Sequence, residues 1–171
     1  MNDAYRTETR ESGTMSFRIE WVYDSDSDAP WVREDGHGPV SDWTSDPKAP
    51  GQMVLCTDRR MYRYYDFAEA VKLARRDGWD TKPYGTRKPG ERAHAAAMAD
   101  YNYLRQWCNQ QWQYCGIVVT LLGADGEPDV DASLWGIEDG LSSMSEYHEE
   151  VIGELIHECL SQITATVGVA A

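Results

Sequence analysis

Leu, Ile, Val and Phe are scarce in this chain: together they number 28 of 171 residues, roughly 16%. Set beside 26% charged residues, so small a share points to disorder unless other side chains fill a core. No apolar run approaches the ~20 residues that span a bilayer. The opening Met1-Asn2-Asp3-Ala4-Tyr5-Arg6 lacks the apolar stretch of a signal peptide. The sequence therefore predicts a cytoplasmic protein with no membrane partner. Cys56, Cys108, Cys115 and Cys159 include no Cys-x-x-Cys pair, which predicts reduced, buried thiols rather than a disulfide framework or a zinc knuckle. Also missing are a Gly-x-x-x-x-Gly-Lys loop, a dinucleotide fingerprint and a Gly-x-Ser-x-Gly elbow. In His148-Glu149-Glu150-Val151-Ile152 the second histidine of a zinc-hydrolase helix is replaced by Ile152. No cofactor is implied. The lack of a catalytic signature weighs toward binding over catalysis without deciding between them.

Aromatic rings make up the deficit. The chain has 7 Trp, 10 Tyr and 2 Phe, and each ring buries about 150–250 Å². Charge is the other abundance, and it is unevenly placed. Residues 1–50 hold 11 acids and 5 bases, net -6; residues 51–115 hold 7 acids and 11 bases, net +4; residues 116–171 hold 11 acids and no base, net -11. A final third without a single Lys or Arg departs from the mixed surface that solubility alone requires.

The elements read as an α+β fold in one domain at 15–165, with a flexible N-terminus at 1–14 and a tail at 166–171. Ser16 to Tyr23 alternates like a half-buried strand. Residues 24–51 form a long acidic loop pinned by Trp31 and Trp43. Two hairpins follow the loop, 52–57 with 61–65 and 117–122 with 133–137. Asp66 with Glu69 is a capping box that starts a helix ending near Asp77-Gly78. Residues 80–90 read as a second loop, Glu91 to Trp112 as a long helix, and 144–163 as a third helix with a broad apolar stripe. The expected architecture is a mostly antiparallel sheet, built from the two hairpins and the N-terminal strand and packed by about three helices.

The last helix carries Glu146, Glu150, Glu154 and Glu158 at i+4 spacing, with Glu149 beside them. Like charges so stacked are mildly destabilising, so the ridge asks for a reason beyond folding, although a simply solvated face remains open. Asp125, Glu127, Asp129 and Asp131 in the second hairpin add to it. Duplex DNA offers one negative charge per ~1.7 Å of axis, so this acidic surface is read as a DNA-mimic-like site for a basic partner. Asp24, Asp26, Asp28 and Asp35 fall at positions 1, 3, 5 and 12 of a calcium loop, but position 6, which needs Gly for its sharp turn, is Ala29, position 7 is Pro30, and no helix need precede the loop. They are weak metal candidates, as is His37. A second reading places Asp35, His37 and Asp42 around a pocket closed by Trp31 and Trp43, the site of a small enzyme or metal-dependent ligand binder. A third gives the basic segment 59–92 to nucleic acid, with Tyr62, Tyr64 and Trp79 stacking; the flanking acids disfavour direct binding.

Asp35-Gly36-His37-Gly38-Pro39-Val40-Ser41-Asp42-Trp43 and Tyr65-Asp66-Phe67-Ala68-Glu69-Ala70-Val71-Lys72-Leu73-Ala74-Arg75-Arg76-Asp77-Gly78-Trp79, with Trp107-Cys108-Asn109, Val118-Val119-Thr120-Leu121-Leu122 and Ser133-Leu134-Trp135-Gly136-Ile137-Glu138, resemble a family of small acidic bacteriophage and prophage proteins of uncharacterised function. The likeness covers most of 21–140 and leaves out the ridge. It implies a phage-encoded accessory protein in the host bacterial cytoplasm and brings no catalytic residue. Joined to the acidic surface, it suggests an inhibitor or modulator of a host nucleic-acid-handling or defence protein, of the anti-restriction or anti-CRISPR kind. The partner is then a host protein with a basic nucleic-acid cleft, and a second copy of the chain is a secondary expectation.

Overall fold

The computed structural model describes residues 4–79, 88–141 and 144–169, the last five by backbone alone. In chain order the elements are β1 (Ala4–Ser12), β2 (Met15–Tyr23), α1 (Pro30–Arg33), β3 (Gln52–Asp58), β4 (Met61–Asp66), α2 (Phe67–Asp77), α3 (Pro89–Cys108), β5 (Gln113–Leu122), β6 (Pro128–Asp139) and α4 (Ser145–Val169). The fold is α+β with antiparallel sheets, as the sequence indicates. The chain forms two compact units, 1–27 with 112–171, and 28–111.

The first unit is a four-stranded antiparallel sheet in the order β1-β2-β5-β6, with α4 packed on one face of β5 and β6. Alternation in β2 turns Phe17, Ile19 and Trp21 to that face, and alternation in β5 does the same for Ile117, Val119 and Leu121. They meet Val151, Ile152, Leu155 and Cys159 of α4, whose spacing is one helical stripe. Burying each large side chain contributes roughly 1.5–3 kcal/mol, so the few aliphatics are concentrated where they count. Residues 4–12, expected to be frayed, instead pair with β2 from Ala4↔Val22 to Ser12↔Met15 through a turn in which Gly13 takes φ +64°. Thr and Tyr suit a strand, but this one is an edge whose sides are both polar, so its alternation is masked by Glu8, Arg10 and Glu11.

The second unit joins the β3–β4 hairpin to α2 and α3. Asp66 caps α2 by accepting from the Glu69 N–H at 3.0 Å, and Gly78 ends it at φ +66°. Ala70 and Ala74 of α2, with Ala93 and Ala97 of α3, are buried, and their size lets the two helices approach closely. The helix expected to reach Trp112 stops at Cys108, where Gln110 takes φ +57°, and β5 begins earlier than expected, at Gln113. The loop after β2 is not wholly irregular: α1 lies in it, and Val40↔Tyr65 and Thr44↔Tyr62 bridge it to β4. Most of the expected 80–90 loop lies outside the described residues. α4 continues to Val169 through part of the expected tail.

Reduced thiols are expected at all four cysteines, but Cys56 and Cys108 form a disulfide. The 52-residue separation leaves no local signature; the pairing arises because the end of α3 packs on β3. Tyr101 Oη donates to Val54 O at 2.8 Å, and Arg105 Nη1 donates to Val54 O at 2.8 Å and to Leu55 O at 2.7 Å. Cys115 and Cys159 are free and buried, and burial pushes the Cys115 thiol up to about 11.

Candidate functional site

The uneven charge of the sequence follows the division into units. The first contains 17 acids and 3 bases, net -14; the second 12 acids and 13 bases, net +1. All three cations of the acidic unit are already bound to glutamates. Arg6 reaches Glu8 at 3.4 Å and lies 3.8 Å from the Trp21 ring centroid; Arg18 Nε donates to Glu20 at 3.1 Å. Arg10 donates to Glu8 through Nε at 2.6 Å and to both oxygens of Glu149 at 2.6 and 2.8 Å. That bidentate bond holds the Glu149 carboxyl below its ordinary range. Glu149 is therefore tied to β1 and drops out of the free acidic set.

The other ridge residues are exposed. Glu146, Glu150, Glu154 and Glu158 lie on α4 away from its buried stripe and run about 18 Å at 1.5 Å per residue. His148 Nε2 donates to Glu138 O at 2.8 Å and Gln162 Nε2 to Asp131 O at 3.4 Å, so α4 runs antiparallel to β6, the sheet's edge. Val130 and Ala132 pack against the core under α4; alternation then turns Asp129 and Asp131 to the opposite face. Asp125 and Glu127 stand exposed in the adjoining turn. The two acidic rows thus flank the β6 edge from two sides instead of forming one plane.

Beneath the start of α4, Tyr5 Oη donates to Asp139 at 2.7 Å, and the His148 ring lies 3.9 Å from the same carboxylate. Burial and this bond drive the Tyr5 hydroxyl far above its ordinary value, so it stays a donor. The cluster fastens β1, β6 and α4 together.

The loop reading fares differently. Asp35 and Asp42 are exposed and neither is the partner of His37. Trp31 and Trp43 instead flank the Arg63 guanidinium, at 5.7 and 5.2 Å to the ring centroids, and Arg63 Nη1 donates to Ser41 O at 3.0 Å. Asp24, Asp26, Asp28 and Asp35 do not converge: among the described residues no group of three or more His, Cys, Asp or Glu is placed to hold a metal ion. His37 meets Asp100 of α3, a residue the sequence did not single out. Nδ1 lies 2.6 Å from Oδ1, while Oδ2 accepts from the Gly38 N–H at 2.8 Å and from Tyr65 Oη at 2.6 Å. Burial and the Asp100 carboxylate raise the Tyr65 hydroxyl well above its ordinary value, keeping it a donor too. Tyr103 stacks on the imidazole, with centroids 5.7 Å apart and planes 12° apart.

Gly36, at φ +96°, and Gly38 shape this loop. A Cβ on Gly38 would clash with the ring and hydroxyl of the fully buried Tyr65, so Gly38→Ala is expected to cost about 2–3 kcal/mol by overpacking. Denaturant titration checks this; an unchanged midpoint would mean that the ring can step aside.

In the basic segment, Lys72 pairs with Glu69 at 2.7 Å and Arg76 with Asp77 at 2.6 Å, and Tyr62 stacks on Tyr64. Two of its cations and two of its rings are thus engaged within the segment itself. No family model, curated protein or solved structure matches the chain.

Proposed function

We propose that the chain is a binding protein whose acidic unit enters the basic nucleic-acid cleft of a host protein and inhibits or modulates it. The observation that carries this is the segregation of charge: net -14 on one unit, whose three cations all have glutamate partners. None of these three arginines is left over for Glu146, Glu150, Glu154, Glu158 or the hairpin acids. Acids on both sides of an edge strand suit a groove better than a flat surface. Along α4 one carboxylate recurs per about 6 Å, sparser than the ~1.7 Å per charge of duplex DNA, so both rows are needed to approach a nucleic-acid field. Such contacts give fast, salt-sensitive association. The resemblance to phage accessory proteins agrees with this role.

The test is capture from bacterial lysate on the immobilised full chain at about 0.1 M and 1 M salt, with duplex DNA as competitor. The chain is expected to retain a basic nucleic-acid-binding protein at the lower salt only and to release it to the DNA. The variant Glu150→Lys, Glu154→Lys, Glu158→Lys, whose sites are exposed, is expected to bind at least about 100-fold more weakly. Equal retention by the variant, or retention that DNA does not displace, would overturn the proposal.

A further inference from the structure

Trp135 of β6 is 45% exposed, and the strand departs from regular pairing to hold it. Cys115 pairs with Ile137 and Ile117 with Leu134, so Trp135 and Gly136 together stand opposite Gly116. That is a β-bulge, with Gly136 at φ +75°. Gly116 does not take a positive φ, so its backbone does not demand glycine; a Cβ there would instead collide with three carbons of the Trp135 ring. The ring therefore rests on the Gly116 backbone. It does so on the face of the sheet away from α4, because Cys115 and Ile117 on either side point into the core. Trp135 Nε1 donates to Ser133 Oγ at 3.2 Å, which fixes the orientation of the indole. A glycine inside a strand and a bulge both weaken pairing. What they secure is an indole held from below, with nearly half its surface open.

The face of an indole attracts cations, and this chain uses it so elsewhere. Arg6 lies over Trp21 with Glu8 beside its guanidinium, and Arg63 lies between Trp31 and Trp43. Among the described residues no cation covers Trp135. Asp129, Asp131 and Ser133 precede it on the same face of β6, all exposed, with Asp131 about 7 Å beyond Ser133. We propose that Trp135 is the docking platform for an arginine side chain of the basic partner, the guanidinium stacking on the indole and turning its N–H edge to Asp131. The inference rests on the reading of this unit as the half that binds a basic protein, and adds which cation it selects. A planar guanidinium can stack and donate from its edge at once; the compact ammonium of lysine cannot. A nucleobase would bring its phosphates against a unit of net charge -14.

The test is titration of the full chain with hexa-arginine and with hexalysine at about 0.1 M salt. It is read on the Trp135 indole ¹H–¹⁵N NMR signal, which Trp135→Phe identifies by its loss. Hexa-arginine is expected to move that signal and to bind about 2- to 5-fold tighter than hexalysine. Trp135→Leu should abolish the preference and Trp135→Phe should keep part of it. A signal that hexa-arginine leaves in place, equal affinity for the two peptides, or a preference that survives in Trp135→Leu would overturn the proposal, as would a response to adenosine in place of arginine. The titration of the unaltered chain decides even if the leucine variant does not fold. Capture from lysate is a separate readout. An arginine preference at Trp135 with no partner captured would sink the functional reading and leave the platform standing; a captured partner with equal peptide affinities would do the reverse.

Discussion

Replacing Cys56 and Cys108 together by serine is expected to lower the stability of the 28–111 unit by about 4 kcal/mol, the chain-entropy value for a cross-link across a 52-residue separation. The loss should appear as faster amide exchange in β3 and in the last turns of α3, where Tyr101 and Arg105 hold Val54 and Leu55. Those three bonds remain in the variant, so the hairpin should loosen without leaving its helix. Alkylation of the denatured chain gives an independent check. Two labels without reductant and four with it are expected, because Cys115 and Cys159 are free. Four labels without reductant would show that the bridge is not formed.

Asp100→Ala is expected to be as damaging, by about 3–5 kcal/mol, because it strands three donors at once: the Gly38 N–H, the Tyr65 hydroxyl and the His37 ring. Asp100→Asn keeps one acceptor and should cost less than half as much. Denaturant titration separates the two variants, and exchange at the Gly38 amide locates the damage. If the alanine variant lost under about 1 kcal/mol, water would be replacing the carboxylate and the junction would be less closed than its burial indicates.

Local features were legible in the sequence and distant pairings were not. The capping of α2 by Asp66 and its end at Gly78 involve residues a turn apart, so the motif alone identifies them. The ridge on α4 depends only on the period of one helix, and its four glutamates are exposed as that period requires. Glu149 belongs to the same helix, yet its partner Arg10 is 139 residues away, and nothing near either residue signals the pair. Asp100 reads locally as one more charge on a helix; only the fold brings it to His37, 63 residues distant. In the same loop the rings of Trp31 and Trp43 take Arg63 of β4 in place of the nearby acids, a pairing that the loop's own composition does not signal. β1 was missed because an edge strand that uses Arg10 to reach a helix lacks the apolar alternation by which strands are recognised.

The path of the chain bears on the order in which the protein is assembled. β2 and β5 are neighbours in one sheet, Tyr23 opposite Cys115, although residues 28–111 lie between them in the chain. For an unstructured connection of that length, closing the loop is an entropic barrier that the sheet must overcome before β2 and β5 gain anything from pairing. If the intervening unit forms first, from its own hairpin and helices, that barrier shrinks to the closure of two short flanking segments. The folded middle of the chain then shortens the loop that the sheet must close, without contributing a strand to it. Damage at Cys56, Cys108 or Asp100 would accordingly slow the appearance of the acidic unit as well as weaken the 28–111 unit.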